Sequence, residues 1–296
     1  MKASDFAALD ASKLEERKKK EIEHSRNRRQ ILQGYERRID THRSEEVQDR
    51  EHLIRDKKAF ETHFPNVKYY SITGSSQQFQ DDWLRARCRP GVKVLDFACG
   101  NGENGVFAAM CGADVLGIDI SPEGVENANK NAQEAGVAGH CEFLTMDGEN
   151  LVFPESSFDV AVEYGALHHV DLDAAMRELS RVLKPGGEMI CIEALRHNPV
   201  IHTYRKLTPS LRTEWEVAHI LSVDDLDVVR KYFKQVQVRF FHLMVLGAVP
   251  FRKTFLFRPL RNALDALDSR ILANQAVGKY AWIMAITMKD PIKPGS

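Results

Sequence analysis

One stretch limits the folds open to this chain more than any other. Residues 94–105 read VLDFACGNGENG, a short apolar run that breaks into a loop with three glycines. Helical spacing resumes beyond it through Val106, Phe107 and Met110. A buried strand that enters a glycine loop and leaves as a helix brings backbone N–H groups close to a ligand. The spacing Gly100-x-Gly102-x-x-Gly105 fits a dinucleotide fingerprint, which by itself leaves the ligand open.

The residues that follow keep alternating. Strands are predicted at 94–99, 115–119, 141–146, 158–162 and 189–194. Helices are predicted at 104–111, at 122–134 with Ser121 as N-cap and Pro122 at the first position, and at 171–183, stopped by Lys184-Pro185-Gly186-Gly187. Apolar strands alternating with helices imply a parallel sheet covered on both faces, with ligands at the carboxyl ends of the strands. Upstream, 66–74 reads as a polar, aromatic loop, and 77–87 as a helix with Phe79, Trp83 and Leu84 at helical spacing. Past Ala194 the alternation fails. A helix at 223–233, a strand at 236–244, an apolar and basic mixture at 249–273 and a last strand at 282–288 follow.

Residues 12–58 are dense in charge of both signs, with no proline and one glycine. Ile22, Ile31, Leu32, Tyr35 and Ile39 suggest one or two long, exposed helices with a thin apolar stripe. Lys18, Lys19, Lys20, Arg28 and Arg29 are interleaved with Glu15, Glu16, Glu21 and Glu23, so a solvated face is expected rather than a nucleic-acid surface. A lid or dimerisation arm, hence a homodimer, is the functional alternative. The formal net charge of −1 argues the same way against nucleic acid. The five cysteines are scattered without CxxC spacing, which suits a reducing compartment. The N-terminus lacks the apolar region of a signal peptide, and no apolar run approaches the ~18 residues of a span. A cytoplasmic location is expected.

Asp96 lies within the first strand, Asp119 ends the second and Asp147 ends the third, just before Gly148. Acids at successive strand ends suit a ribose diol and an adenine amine, through charge-assisted bonds of roughly 1.5–3 kcal/mol each. Asp96 and Glu103 would set negative charge beside the loop, which disfavours the pyrophosphate of NAD and suits a cationic amino-acid head.

Together with Gly117-Ile118-Asp119-Ile120-Ser121, Phe158-Asp159-Val160 and Leu183-Lys184-Pro185-Gly186-Gly187, the 94–105 motif resembles the Rossmann-like S-adenosylmethionine-dependent methyltransferases. The resemblance spans about residues 70–195 and is nearest the ubiquinone/menaquinone and small-molecule branch. It implies an α/β fold: a doubly wound, mostly parallel seven-stranded sheet with an antiparallel last strand, an N-terminal helical extension and C-terminal helical insertions. The implied division is an extension over 1–65, a cofactor-binding core over 66–195, and acceptor-binding insertions with the last two strands over 196–296.

Carried over residue by residue, Asp96, Gly100 and Gly102 would line the methionine end of S-adenosylmethionine, with Ala98 also among the cofactor-binding residues. Asp119 would take the ribose, Ile120 the adenine ring, and Asp147 with Gly148 the adenine amine. Glu163 and Tyr164 would face the sulfonium and the substrate, Tyr164 as a candidate catalytic residue, and Tyr69 or Tyr70 would cap the cofactor. One of His168 and His169 is the candidate general base, the other packing or capping the next helix. No metal is expected, because no further ligands cluster with the pair at motif spacing. His197, His202, Tyr204, Arg205 and His219 are candidate acceptor-binding residues.

The expected activity is methyl transfer to a small molecule at O, N or C, with S-adenosylhomocysteine as product. A lipid or isoprenoid quinone at a membrane surface is the alternative acceptor, suggested by the basic aromatic stretch at 249–261. There a packed cap is the plainer expectation, since Pro250 and Pro259 interrupt an amphipathic helix. A cofactor-binding scaffold without catalysis is the reading from another class.

Overall fold

The structure, a computed structural model, describes residues 6, 9, 10, 14–32 and 64–293. The helix expected to continue to 58 falls largely outside the described residues. Seven strands form one sheet: β1 (Lys93–Phe97), β2 (Asp114–Asp119), β3 (Cys141–Thr145), β4 (Phe158–Tyr164), β5 (Leu183–Ala194), β6 (Phe233–Phe241) and β7 (Ile283–Pro291). Their order is β3-β2-β1-β4-β5-β7-β6. The first five strands pair in parallel, and β7 runs antiparallel to both neighbours. This is the sheet that the resemblance implied.

Both faces are covered because the strands are apolar at consecutive positions. Val94 joins a core cluster with Val115, Val160, Trp83, Leu84 and Ala128, while Leu95 and Phe97 join Ile118, Met176 and Leu179 on the other side. Each such buried side chain is worth about 1.5–3 kcal/mol relative to exposure. The helix Pro122–Glu134 starts where expected, with the Ser121 hydroxyl accepting from the Gly124 N–H at 3.2 Å. Asp171 caps Leu172–Val182 in the same way, through the Ala174 N–H at 2.8 Å. Strand order reverses between β1 and β4, so their carboxyl ends diverge and leave a crevice.

Several boundaries differ from the sequence reading. The loop expected at 66–74 contains a helical turn at Val67–Tyr70, and the helix expected from 77 starts at Gly74. The helix expected over 223–233 is a 3₁₀ turn, Val223–Asp225, followed by Leu226–Arg230. The next strand starts earlier and ends at Phe241, where His242 turns the chain with φ of 66°. The apolar and basic segment folds as a 3₁₀ helix, Met244–Phe251, against the helix Phe257–Ile271. Buried Asp268 joins the two by accepting the N–H groups of Leu243, Met244 and Val245 at 2.9, 2.7 and 3.1 Å. The N-terminal helix Glu16–Leu32 is not a freely solvated rod, since Lys18 and Ile22 are buried. Among the described residues, no helix is long and apolar enough to cross a membrane.

Candidate active site

A cleft of about 730 Å³ opens over the carboxyl ends of the parallel strands and runs beneath the helix Glu16–Leu32. At one end the loop after β1 carries Ala98 and Gly100, and Asp119 ends β2. Asp119 Oδ2 accepts the Gly100 N–H and Oδ1 the Ser121 N–H, both at 2.8 Å. Those two bonds use about half of a carboxylate's four or so lone-pair sites and leave the rest for a diol. Ile120, Asp147 and Gly148 line the same end. Asp147 accepts the Glu149 N–H at 3.0 Å and pairs with Lys18 Nζ at 2.6 Å. Lys18 also reaches Glu149 at 2.9 Å, which Arg17 engages as well.

Three residues expected to touch the cofactor stand behind the cleft wall instead. Asp96 is 1% exposed, and its Oδ2 accepts the Gly105 N–H at 2.8 Å. Burial pushes its carboxyl up to about 8, and the carboxyls that line the cleft here are those of Glu103 and Asp119. Gly102 packs on the neighbouring helix and strand: a Cβ there would lie 2.6 Å from the Phe143 ring and 2.8 Å from Ala128. Glu163 is wholly buried beneath the floor. Sequence reasoning missed Asn104, a buried side chain on the wall whose Oδ1 has no hydrogen-bond partner. Its position on the inward face of the helix Glu103–Met110, with Ala108, was the available signal.

The other end is built from more distant segments. The turn Leu167–His169 follows β4 and carries both histidines into the cleft. His168 Nδ1 lies 2.8 Å from Glu193 Oε2, and Glu193 Oε1 accepts the Leu167 N–H at 2.5 Å. Glu163 shares this buried pocket with Glu193. Burial first, then the neighbouring carboxylate, raise Glu163 well above the carboxylate range. Burial also opposes ionisation of Glu193, but the charge and hydrogen bond of His168 hold it below that range. The two carboxyls are thus pushed in opposite directions, and Glu193 is the one that pairs with His168. His169 Nδ1 meets Glu21 Oε2 at 2.9 Å. Burial disfavours a charge on His169, yet the Glu21 hydrogen bond and the charges of Glu216, Glu21 and Glu193 outweigh it and raise the imidazole. Thr213 donates to Glu21 from the far side.

Tyr69, Tyr70, Tyr164, Tyr204 and Arg205 line this end, with Trp282, Ile201 and Ile220. The Tyr69 ring meets Tyr204 edge-on at 5.0 Å and Trp282 at 6.0 Å. Burial pulls Arg205 down to about 10 while its Nη1 donates to the Leu195 carbonyl at 2.9 Å. His197, His202 and His219 are exposed and stand outside the cleft; His219 stacks on Trp215 at 3.7 Å. In their place the structure brings Glu216 from the helix Glu214–His219, with Oε1 3.9 Å from His168 Nε2. The absence of a third ligand at motif spacing therefore did not mean its absence in space.

Residues 95–191 match the family model described as a methyltransferase domain. The resemblance to S-adenosylmethionine-dependent methyltransferases is thus borne out. A sterol 4-C-methyltransferase from Caenorhabditis elegans is 31% identical over 153 residues, 47% of this chain and 46% of that protein. A ubiquinone/menaquinone biosynthesis C-methyltransferase from Shewanella sp. (strain ANA-3) is 34% identical over 109 residues, 36% of this chain and 43% of that protein. The chain thus spans less than half the length of the curated relatives it matches. Among solved structures, phosphoethanolamine N-methyltransferase 2 of Haemonchus contortus, in complex with phosphomonomethylethanolamine and S-adenosylhomocysteine, aligns with a TM-score of 0.53. It is 18% identical and covers 77% of this chain and 57% of that one, a likeness of fold.

Proposed function

We propose that this protein transfers the methyl group of S-adenosylmethionine to a small, largely apolar acceptor bound between the histidine turn and the Tyr69–Tyr204–Trp282 wall. The observation that carries the reading is the division of the cleft. Carboxylates at strand ends occupy one half, and aromatic rings with a carboxylate-oriented histidine occupy the other. The donor set fits the cofactor. Asp119 keeps free lone pairs for the ribose, Asp147 stands one strand farther on, and the unpartnered Asn104 Oδ1 suits the cationic amine of the methionine end. When bound, the sulfonium supplies an activated methyl carbon; the protein's work is alignment, worth on the order of 7–11 kcal/mol as effective molarity. His168, held through Nδ1 by Glu193, offers Nε2 as proton acceptor where the acceptor must lose a proton.

The helix Glu16–Leu32 serves as a lid in this reading. Its Lys18 closes over Asp147, its Glu21 over His169, and its Arg26 over Glu123 at 2.7 Å. These contacts fold it over its own cleft, which favours a lid above a dimerisation arm. The segment 196–220 supplies the acceptor wall, and the reaction belongs in the cytoplasm.

A lipophilic acceptor taken from a membrane surface is the second reading. Phe255 is 88% exposed, next to half-exposed Leu256, within a run that also carries Arg252, Lys253 and Arg258. Incubating the protein with methyl-labelled cofactor and separate aqueous and lipid extracts of host cells tests both readings. Label in a lipid product supports the second, and label in a water-soluble product the first. Labelled product with release of S-adenosylhomocysteine removes the non-catalytic scaffold. No transfer from either extract, with the cofactor bound, supports that scaffold instead.

A further inference from the structure

The histidine turn has a feature that methyl transfer does not require. His168, His169 and Glu216 each place one ligand atom within 4.8 Å of the other two. Each imidazole is supported from behind by its own carboxylate, His168 by Glu193 at 2.8 Å and His169 by Glu21 at 2.9 Å, both through Nδ1. An Nδ1–H donated to a carboxylate fixes the tautomer whose Nε2 lone pair is free, and this pairing is the usual support of a metal-bound histidine. For one histidine such a pairing is common; here two adjacent ones have it, and a third carboxylate stands 3.9 Å from His168 Nε2.

Charge points the same way. Glu21, Glu193 and Glu216 bring three carboxylates around two imidazoles. Arg212, whose Nε lies 3.2 Å from Glu216 Oε1, offsets part of that charge, as does Arg205 on the same wall. The negative charge that remains would be offset by protons on the imidazoles or by a divalent cation on the same lone pairs.

We propose that His168, His169 and Glu216 bind a divalent first-row transition metal through two imidazole nitrogens and one carboxylate oxygen, with the remaining positions open to the acceptor half of the cleft. Two imidazoles and a carboxylate suit zinc, iron, cobalt or manganese, and three protein ligands leave room for water or an acceptor oxygen. Bonds of about 2.0–2.2 Å set the donors ~3 Å apart, so the trio contracts on binding. With metal bound, the Nε2 lone pair of His168 no longer accepts a proton, and the metal acidifies a coordinated acceptor oxygen instead. The site stands on the placement of three side chains and not on the methyl-transfer reading.

Cobalt(II) is the probe. The full chain, stripped with EDTA and dialysed, is titrated with Co²⁺ while visible absorption is recorded. The expected result is a d–d band that saturates at one equivalent and is displaced by Zn²⁺. His169→Ala and Glu216→Gln should each weaken binding by at least ~10-fold, with thermal unfolding in EDTA confirming that both variants fold. No saturable band in the wild-type protein, or the same band at the same affinity in both variants, overturns the proposal. Calorimetry with S-adenosylmethionine on the same sample keeps the two readings apart. Cofactor binding without cobalt binding removes the metal site and leaves the proposed activity, and the converse removes the activity alone.

Discussion

The two halves of the cleft are held by different forces. At the end proposed for the cofactor, carboxyl groups grip backbone N–H groups a few residues away or one strand over. Asp119 holds Gly100 and Ser121, and buried Asp96 holds Gly105. At the acceptor end, side chains grip side chains across long separations: Glu21 meets His169 across 148 residues and Thr213 across 192. Backbone-anchored geometry is set once the sheet forms, whereas the acceptor end exists only after the N-terminal helix and the 196–220 segment have docked.

Four substitutions probe that contrast, in falling order of effect. Glu193 joins the halves, because it is wholly buried at the end of β5 yet orients His168. Glu193→Ala strips the buried pair and is expected to lower stability by about 3–5 kcal/mol in urea unfolding and to abolish turnover. A variant of unchanged stability would show that the pair is not a structural hinge between the halves. Asp119→Ala is expected to weaken cofactor binding by about 1.5–3 kcal/mol with little change in acceptor KM. Equal affinity by calorimetry would move the ribose elsewhere. Lys18→Met, at the lid, is expected to cost about 1 kcal/mol or less, since methionine keeps the buried stem packed and Asp147 and Glu149 retain the Glu149 N–H, the Asp171 N–H and Arg17 as partners. Its readouts are faster cofactor release and faster hydrogen exchange in 16–32; neither changing would detach the lid from the cleft.

The smallest effect is one of pH, in the metal-free protein. His169 is raised in the fold, so its contribution to stability is complete below its unfolded value of ~6.5 and fades as pH rises through the folded one. Glu21 is lowered by His169 against the opposing effect of burial, so its share is present above the usual carboxylate range and is lost in acid. The pair therefore stabilises most between those limits. Glu21→Gln should flatten the melting temperature above pH ~6.5 relative to wild type; parallel curves would mean that the pair carries no pH dependence.

The same contrast explains what could be read in advance. Asp119, Asp147 and the glycine loop were legible because strand–turn–helix chemistry is local, and Ser121 with Pro122 marked its helix to the residue. Asp96 was placed in the right strand but on the wrong side of the wall. An acid within an apolar strand looks the same in sequence whether its carboxyl enters the cleft or caps Gly105 behind it. At the acceptor end, exposed His197, His202 and His219 had the right chemistry without the contact, while Glu21 and Glu216, like Lys18 at the other end, had the contact without any local pattern. In the N-terminal helix, interleaved charge gave the appearance of a solvated face. Lys18 and Glu21 lie three residues apart on one face of it, and that face meets the cleft.

Calorimetric titration of the whole protein with S-adenosylmethionine, and separately with NAD, tests the central claim most directly. The expected result is saturable one-to-one binding of S-adenosylmethionine and no detectable heat with NAD. Binding of NAD with none of S-adenosylmethionine would contradict it.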